Sequence, residues 1–361
     1  MSVYAFISLE ESAHSNMAIR IKYLIRVLLG GLFFYAGLFH ILRFFNNILG
    51  KRVTIITYHR ITDGKSDEIE ASLPFLFTSQ GIFEKQLLFM KKRYKIIRTK
   101  DLNELRTNAK YPWNCLIITF DDGYEDNFRN AYKTLTKMGL PATFFITVDK
   151  IGQKNVEPFW WDRLYYYLKG IQKQKNKGFS EDIKTDLLRL YNEFKNNASD
   201  LFARMNKEET GKVQKLLERI ERECAINDEK LFRENRMLKW EHISEMSQNH
   251  DFGSHTCSHG NLLQLSDDQK YHEIVESKRI IEEFLNKKVM GFSSPAGHMN
   301  REIEGFVEKG GYEFAVTAGE PGINRMTNRY HMKRINIWEG TSLSLNGKFS
   351  RGYFSFKMMG F

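Results

Sequence analysis

Short apolar or β-branched runs recur along the chain at Val53–His59, Tyr94–Thr99, Cys115–Phe120, Ala142–Val148, Asp251–His255, Val289–Ser294, Phe314–Ala318 and His331–Ile337. Each has the length and composition of a buried strand. Helical periodicity separates several of them. Tyr124–Met138 carries Phe128, Ala131, Leu135 and Met138 on one face and stops at Gly139, before Pro141. Asp267–Leu285 sets Ile274, Ile281, Phe284 and Leu285 in a stripe opposite charged residues. Strands alternating with helices predict an α/β fold with a mainly parallel sheet, closed into a barrel. Residues 155–236 break the rhythm: Trp160-Trp161-Asp162-Arg163-Leu164-Tyr165-Tyr166-Tyr167 leads into helical spacing through Leu187, Leu190, Phe194, Leu201, Leu216 and Ile220. This is read as a helical insertion whose aromatic cluster packs on the barrel, with stacking on sugar rings as the alternative.

Upstream of the first strand, Val27–Leu42 carries no formal charge but is shorter than the roughly 20 apolar residues of a full membrane span. Arg20, Lys22 and Arg26 precede it and Arg43, Lys51 and Arg52 follow, so the flanking charge gives no orientation. The segment is expected to be a membrane anchor or an in-plane amphipathic helix rather than a core helix. The domain plan is then residues 1–50 as this membrane segment, 51–340 as the catalytic domain with its insertion, and 341–361 as a C-terminal tail.

Composition narrows the partners. The 361 residues are 42% hydrophobic and carry a net charge of +10, which excludes wholesale disorder and suits anionic lipid or acidic glycan. Nucleic acid is not expected as a partner, because no nucleic-acid motif is present and the basic residues are dispersed. Cys115, Cys224 and Cys257 form no paired framework. Cys257, between two histidines, is expected to pack inward rather than bind a cation.

The chemistry gathers at strand ends. Asp121-Asp122-Gly123 closes the run Cys115–Phe120, where two adjacent carboxylates are costly without a purpose. Far downstream, Ser254-His255-Thr256-Cys257-Ser258-His259 presents two imidazoles four residues apart. One acid and two histidines are a common ligand set for a catalytic divalent metal, leaving the other acid free as a base. His59 ends a third strand, and Pro295 and Gly297 follow a fourth, so four strand ends supply one rim. His14, His40, His242, His250 and His272 lack such a context and are read as structural or solvated.

Thr119-Phe120-Asp121-Asp122-Gly123 resembles the first motif of the polysaccharide deacetylase family, and Ser254–His259 resembles its second. Pro141-Ala142-Thr143-Phe144-Phe145 is also similar to the family, and the resemblance runs from about Val53 to Ile337 outside the insertion. It implies a distorted (β/α) barrel in which Asp122, His255 and His259 bind a divalent metal, most often zinc, and Asp121 is the general base. Many members take their general acid from a carboxy-terminal Leu-x-His motif, which this chain lacks. His59, similar to the Tyr-His motif of membrane- and biofilm-associated members, is the candidate acid, with His298 in reserve. Family members often carry arginine or aromatic residues around Pro-x-Gly; here Ser293, Ser294 and Ala296 take those positions, so no arginine there orients Asp121. Ser294, Pro295 and Gly297 are candidate substrate contacts, with backbone groups as an oxyanion site.

The implied activity is metal-dependent removal of N-acetyl groups from amino sugars of a polysaccharide, oligosaccharide or lipid-linked glycan, at a membrane of the cell envelope. The competing readings are a catalytically weak glycan-binding protein and a basic membrane-surface scaffold.

Overall fold

A computed structural model describes residues 17–39, 41, 53–64, 72–102, 114–153, 156–174, 180–208, 210–223, 229–319 and 327–360. Much of the N-terminal segment, residues 154–155 of the insertion, and Cys224 lie outside the described residues.

All eight expected strands form: β1 (Val53–Tyr58), β4 (Lys95–Ile96), β5 (Cys115–Phe120), β6 (Thr143–Ile146), β7 (Asp251–Ser254), β8 (Gly291–Ser293), β9 (Phe314–Ala318) and β10 (Met332–Asn336). Two short strands, β2 (Arg60–Thr62) and β3 (Phe77–Ser79), pair with each other apart from the main sheet. Three residues are too few to show a period, which is why the sequence did not reveal them. In the main sheet β1 pairs with both β10 and β5, closing a seven-membered parallel ring in the order β1-β10-β9-β8-β7-β6-β5, with β4 appended to β5. The fold is thus the distorted (β/α) barrel expected. With all pairs parallel, every strand delivers its carboxyl end to the same rim.

Alternation along the strands decides what fills the barrel. On β5, Leu116, Ile118 and Phe120 face outward into a large core under the helices, whereas Cys115 and Ile117 join Val53, Ile55, Phe145, Phe314, Val316 and Met332 in a separate buried cluster. That inner plug is apolar at the amino end. Two residues on, the same face carries Thr57, Thr119 and Arg334, all buried. Gly253 and Gly291 make room for the plug, since a Cβ on either would lie 2.4 and 2.3 Å from the rings of Phe145 and Phe314 respectively.

The outer helices are α1 (Met17–Tyr35), α2 (Gln80–Lys91), α3 (Lys133–Met138), α4 (Trp160–Gln174), α5 (Glu181–Lys207), α6 (Thr210–Glu223), α7 (Glu229–Glu234), α8 (Trp240–Met246), α9 (Asp267–Tyr271), α10 (Ser277–Leu285), α11 (Arg301–Lys309) and α12 (Arg351–Lys357). The expected helix at Tyr124–Met138 is a π turn, Asn127–Tyr132, running into α3 and closed by Gly139 at φ +65°. The expected Asp267–Leu285 helix is α9 and α10 joined by a second π turn, His272–Glu276. Such turns are frequent near functional sites.

Helices α4 to α7 lie between β6 and β7 and build their own core from Phe159, Trp161, Leu164, Leu168, Leu187, Phe194 and Leu217, among others. The expected packing of the aromatic cluster on the barrel is met only in part: Trp161, Leu164, Tyr165 and Tyr167 are buried mainly in the insertion's own core, which Tyr124 of the barrel joins. Buried Arg60 ties this unit to the barrel: it pairs with Asp126 at 2.9 Å and donates to the Asn235 side chain and the Glu234 carbonyl, each at 2.6 Å.

Among the described residues no helix is long and apolar enough to cross a membrane. Helix α1 lies against α12, its Tyr23 ring edge-on to Tyr353 at 5.4 Å. Residues 341–360 are more than a tail, because Phe354 of α12 is fully buried in the main core.

Candidate active site at the carboxyl rim

The rim is reached two residues above Thr119, where the inner face of β5 continues into Asp121. Arg334, on β10, grips it: Nη1 donates to Oδ1 at 2.8 Å and Nη2 to Oδ2 at 2.6 Å. The same guanidinium donates to Thr119 at 2.9 Å, Thr57 at 3.2 Å and Ser293 at 2.8 Å, and its Cζ lies 5.5 Å from the Phe145 ring centroid. A bidentate fork fixes both distance and plane. Burial raises the Asp121 pKa, but the charge and hydrogen bonds of Arg334, together with His255 and His59, more than offset it and hold the carboxyl well below the usual range. The arginine missing from the Pro295 loop therefore has a counterpart on another strand. Arg334 belongs to no motif and sits beside Lys333, so only its inward parity with Met332 marks it in the sequence.

Asp122 turns the other way. Its φ of +74° and that of Gly123, +89°, reverse the chain after the strand. Asp122 Oδ1 lies 3.5 Å from Nε2 of both His255 and His259, and its Oδ2 is buried without a hydrogen-bond partner. One ligand atom from each of these three residues lies within 4.8 Å of the others. His255 Nδ1 donates to the Ser293 carbonyl at 2.7 Å, leaving Nε2 free to bind. Burial lowers both imidazoles. His259, also beside His255, is pushed down to about 3, whereas Asp121 and Asp122 carry His255 above its ordinary value. Burial likewise raises Asp122, yet hydrogen bonding to His255 and the nearby histidines leaves it lowered. An orphaned buried carboxylate oxygen beside two imidazole Nε2 atoms fits a divalent cation.

The loop carrying the histidines is held from behind. Glu273, in the second π turn, accepts from the backbone N–H groups of Cys257 and Ser258, each at 2.9 Å, and from the Ser258 hydroxyl at 2.5 Å. These contacts sit beside two non-glycine positions of positive φ, Thr256 at +69° and His259 at +67°. Residues held in this region are strained and need such support. Cys257 packs inward as expected: its thiol is buried and its pKa is pushed up to about 12 by burial and Glu273.

The insertion forms one wall. Trp161 and Phe159 meet the His259 ring at 4.7 and 5.4 Å. Trp161 Nε1 donates to the Tyr124 hydroxyl at 3.0 Å, which donates to buried Asp162 at 2.7 Å. The chain leaving the insertion pairs with the Asp-Asp-Gly loop, Leu238 N–H donating to the Gly123 carbonyl at 2.8 Å.

His59 follows β1, and a positive charge on it would favour ionisation of both Asp121 and Asp122. Its Nδ1 is buried without a partner. His298 lies on the loop after β8, where burial and Lys207 lower its pKa. Ser294 is buried and its hydroxyl donates to the His298 carbonyl. The N–H groups of Ser294, Gly297 and His298 donate to Val316, Ser294 and Pro295 carbonyls, so they are already engaged. Pro295 is buried, and a Cβ on Gly297 would lie 2.6 Å from Ala318. His331 precedes β10, at the far end from the rim.

A family model described as polysaccharide deacetylase matches residues 108–315. The Bacillus subtilis (strain 168) protein YxkH, a provisionally named polysaccharide deacetylase, is 23% identical over 82% of this chain and 76% of its own length. A Staphylococcus aureus poly-β-1,6-N-acetyl-D-glucosamine N-deacetylase is 30% identical over 128 residues, 34% of this chain and 41% of that protein. Among solved structures, the Streptococcus pyogenes deacetylase PplD in complex with acetate superposes with a TM-score of 0.53 at 17% identity, covering 82% of this chain and 96% of that one. IcaB from Ammonifex degensii gives 0.51 at 16% identity, covering 80% and 92%. At these identities the structural likeness speaks to the fold.

Proposed function

This chain belongs to the polysaccharide deacetylase family, and from that premise we propose that it is a metal-dependent hydrolase removing N-acetyl groups from amino sugars. The observation that carries the reading is the division of the acid pair: Asp121 is bound by Arg334, while Asp122 faces two imidazoles with an orphaned oxygen. Asp122, His255 and His259 would hold the divalent cation, zinc in the first instance. Such a cation, when bound, polarises the amide carbonyl and increases the acidity of water.

The remaining work falls to this chain's own side chains. Asp121 takes a proton from water as the new C–O bond forms. His59 gives a proton to the amide nitrogen as the C–N bond breaks, so acetate and a free amine leave with protons balanced. Arg334 keeps Asp121 ionised and aimed, at some cost in basicity. Phe159 and Trp161 exclude water from one side of His259. Ser294, Pro295 and Gly297 are kept as a substrate-side loop, acting through its shape because the Ser294 hydroxyl and three backbone N–H groups are engaged within the fold.

An acetylated polysaccharide is the favoured substrate class, supported by the named activity of the Staphylococcus aureus relative; an oligosaccharide or lipid-linked amino sugar fits the same chemistry. We assign the protein to a membrane surface of the cell envelope, supported by its basic, apolar N-terminal region. Acetate release from acetylated oligosaccharides tests the activity. Asp121→Asn should abolish release with metal content unchanged, and His255→Ala should lose both. Full activity in both folded variants would overturn the assignment; bound metal without turnover on any acetylated glycan would favour a glycan-binding protein.

A further inference from the structure

Helix α1 has two unlike sides. One is committed to the protein: Tyr23 donates to the Leu343 carbonyl at 2.8 Å, Phe33 meets Phe356 at 6.4 Å, and Gly30 touches Gly352 backbone to backbone. A Cβ at Gly30 would lie 2.9 Å from the Gly352 oxygen, and one at Gly352 would lie 2.7 Å from the Gly30 oxygen. So close a crossing fixes which side of α1 faces out. That side carries Ile21, Leu24, Ile25, Leu28, Leu29, Leu32 and Tyr35, with Leu28 59%, Leu32 62% and Tyr35 86% exposed. The i, i+4, i+7, i+11 spacing of Ile21, Ile25, Leu28 and Leu32 makes a continuous stripe. A contiguous exposed apolar strip on a fixed element marks a contact site.

Charge identifies the occupant. Residues 12–52 contain six lysines and arginines and no acidic residue, and residues 340–361, which include α12, contain three cations and no acid. Exposed Lys22 and Arg26 stand on α1 itself. An apolar stripe flanked by exposed Lys22 and Arg26, on a stretch of sequence whose only charges are cations, complements a bilayer with anionic headgroups. A second copy docked on the same helix would bring Lys22 and Arg26 against their own like charges. We propose that α1 docks in the plane of an anionic membrane through the Ile21–Tyr35 stripe, with α12 as its protein-side support. Spanning is disfavoured because one face is already packed on protein and Lys22 and Arg26 lie within the helix. This docking rests on the helix face and not on the deacetylase reading.

Cosedimentation of the full chain with vesicles of phosphatidylcholine alone, or mixed with phosphatidylglycerol, tests it. The expected result is binding to mixed vesicles that weakens in 0.5 M salt and falls at least tenfold in the Leu28→Glu/Leu32→Glu variant. Acetate release from a soluble oligosaccharide should be the same in both proteins, which separates a failure of docking from a failure of the catalytic reading. In the unsubstituted protein, mixed vesicles should slow amide hydrogen exchange in α1, a measurement independent of the variant's folding. Undiminished vesicle binding by the variant would overturn the proposal. So would association that resists alkaline carbonate, which indicates a spanning segment, or vesicle-free dimerisation abolished by the same substitutions, which indicates a second copy.

Discussion

Asp121 and Asp122 are neighbours with opposite commitments, and backbone conformation makes the difference. Asp121 continues the inward parity of β5 and reaches Arg334; Asp122, at φ +74°, swings its carboxylate toward His255 and His259. Arg334→Met should therefore damage catalysis without removing the metal ligands. The loss in kcat should be on the order of 10²-fold, within the range of misplacing a general base. Arg334→Lys should rescue it poorly, since an ammonium cannot reproduce the fork. The sign of the pH effect follows from the same contact. Arg334 depresses the Asp121 pKa against burial, so its removal lets that pKa rise and shifts the acidic limb of the kcat profile to higher pH. A kcat profile of Arg334→Met unmoved on its acid side would show that another group controls Asp121.

At the scale of elements, the second π turn points Glu273 at the loop between the two histidines. Its carboxylate answers two backbone N–H groups of a segment with positive φ at Thr256 and His259. Glu273→Gln keeps the size and one acceptor oxygen but cannot meet three donors with an anion. Metal affinity, read by competition with a chromogenic chelator, should fall about 10–100-fold, the usual cost of losing an outer partner of a metal ligand. Unchanged affinity would mean that the insertion wall at Trp161 and Phe159 holds His259 unaided. Elements were the most legible level in the sequence. β5 and β9 appear at the expected bounds, because each carries its own apolar run and turn signals. β2 and β3 were not legible, since three residues apiece are too few to show a period.

For the whole molecule, stability should fall in mild acid through His250, at the end of the barrel away from the site. It is buried beside Tyr132 and Phe144, and its Nδ1 accepts from Ala142 N–H at 3.2 Å. Burial, aided by Arg98, pushes its pKa down to about 4. The unfolded chain binds this proton near pH 6.5, so native stability is lost as pH falls from about 6.5 to about 4 and changes little below that. The contribution is at most on the order of 3 kcal/mol, at about 1.4 kcal/mol per pH unit. His250→Asn offers an amide oxygen to Ala142 and does not titrate. Urea midpoints of the variant should change less between pH 7 and pH 4.5 than those of the parent protein. Equal changes would remove His250 from the account.

By itself the sequence determined the strand-helix alternation, the barrel it implies, and Asp121, Asp122, His255 and His259 at strand ends. These are local properties: side-chain period, turn chemistry and spacing lie within a few residues of one another. Tertiary structure alone decided which distant groups complete the site. Arg334 is 213 residues from Asp121, and only closure of the ring through β1, which pairs with both β10 and β5, brings the two inner faces together. Tertiary packing likewise sets Trp161 of the insertion against His259 and lays α1 on α12, leaving one of its faces bare. Contacts of that separation depend on the register of the whole ring, and no local pattern carries that register.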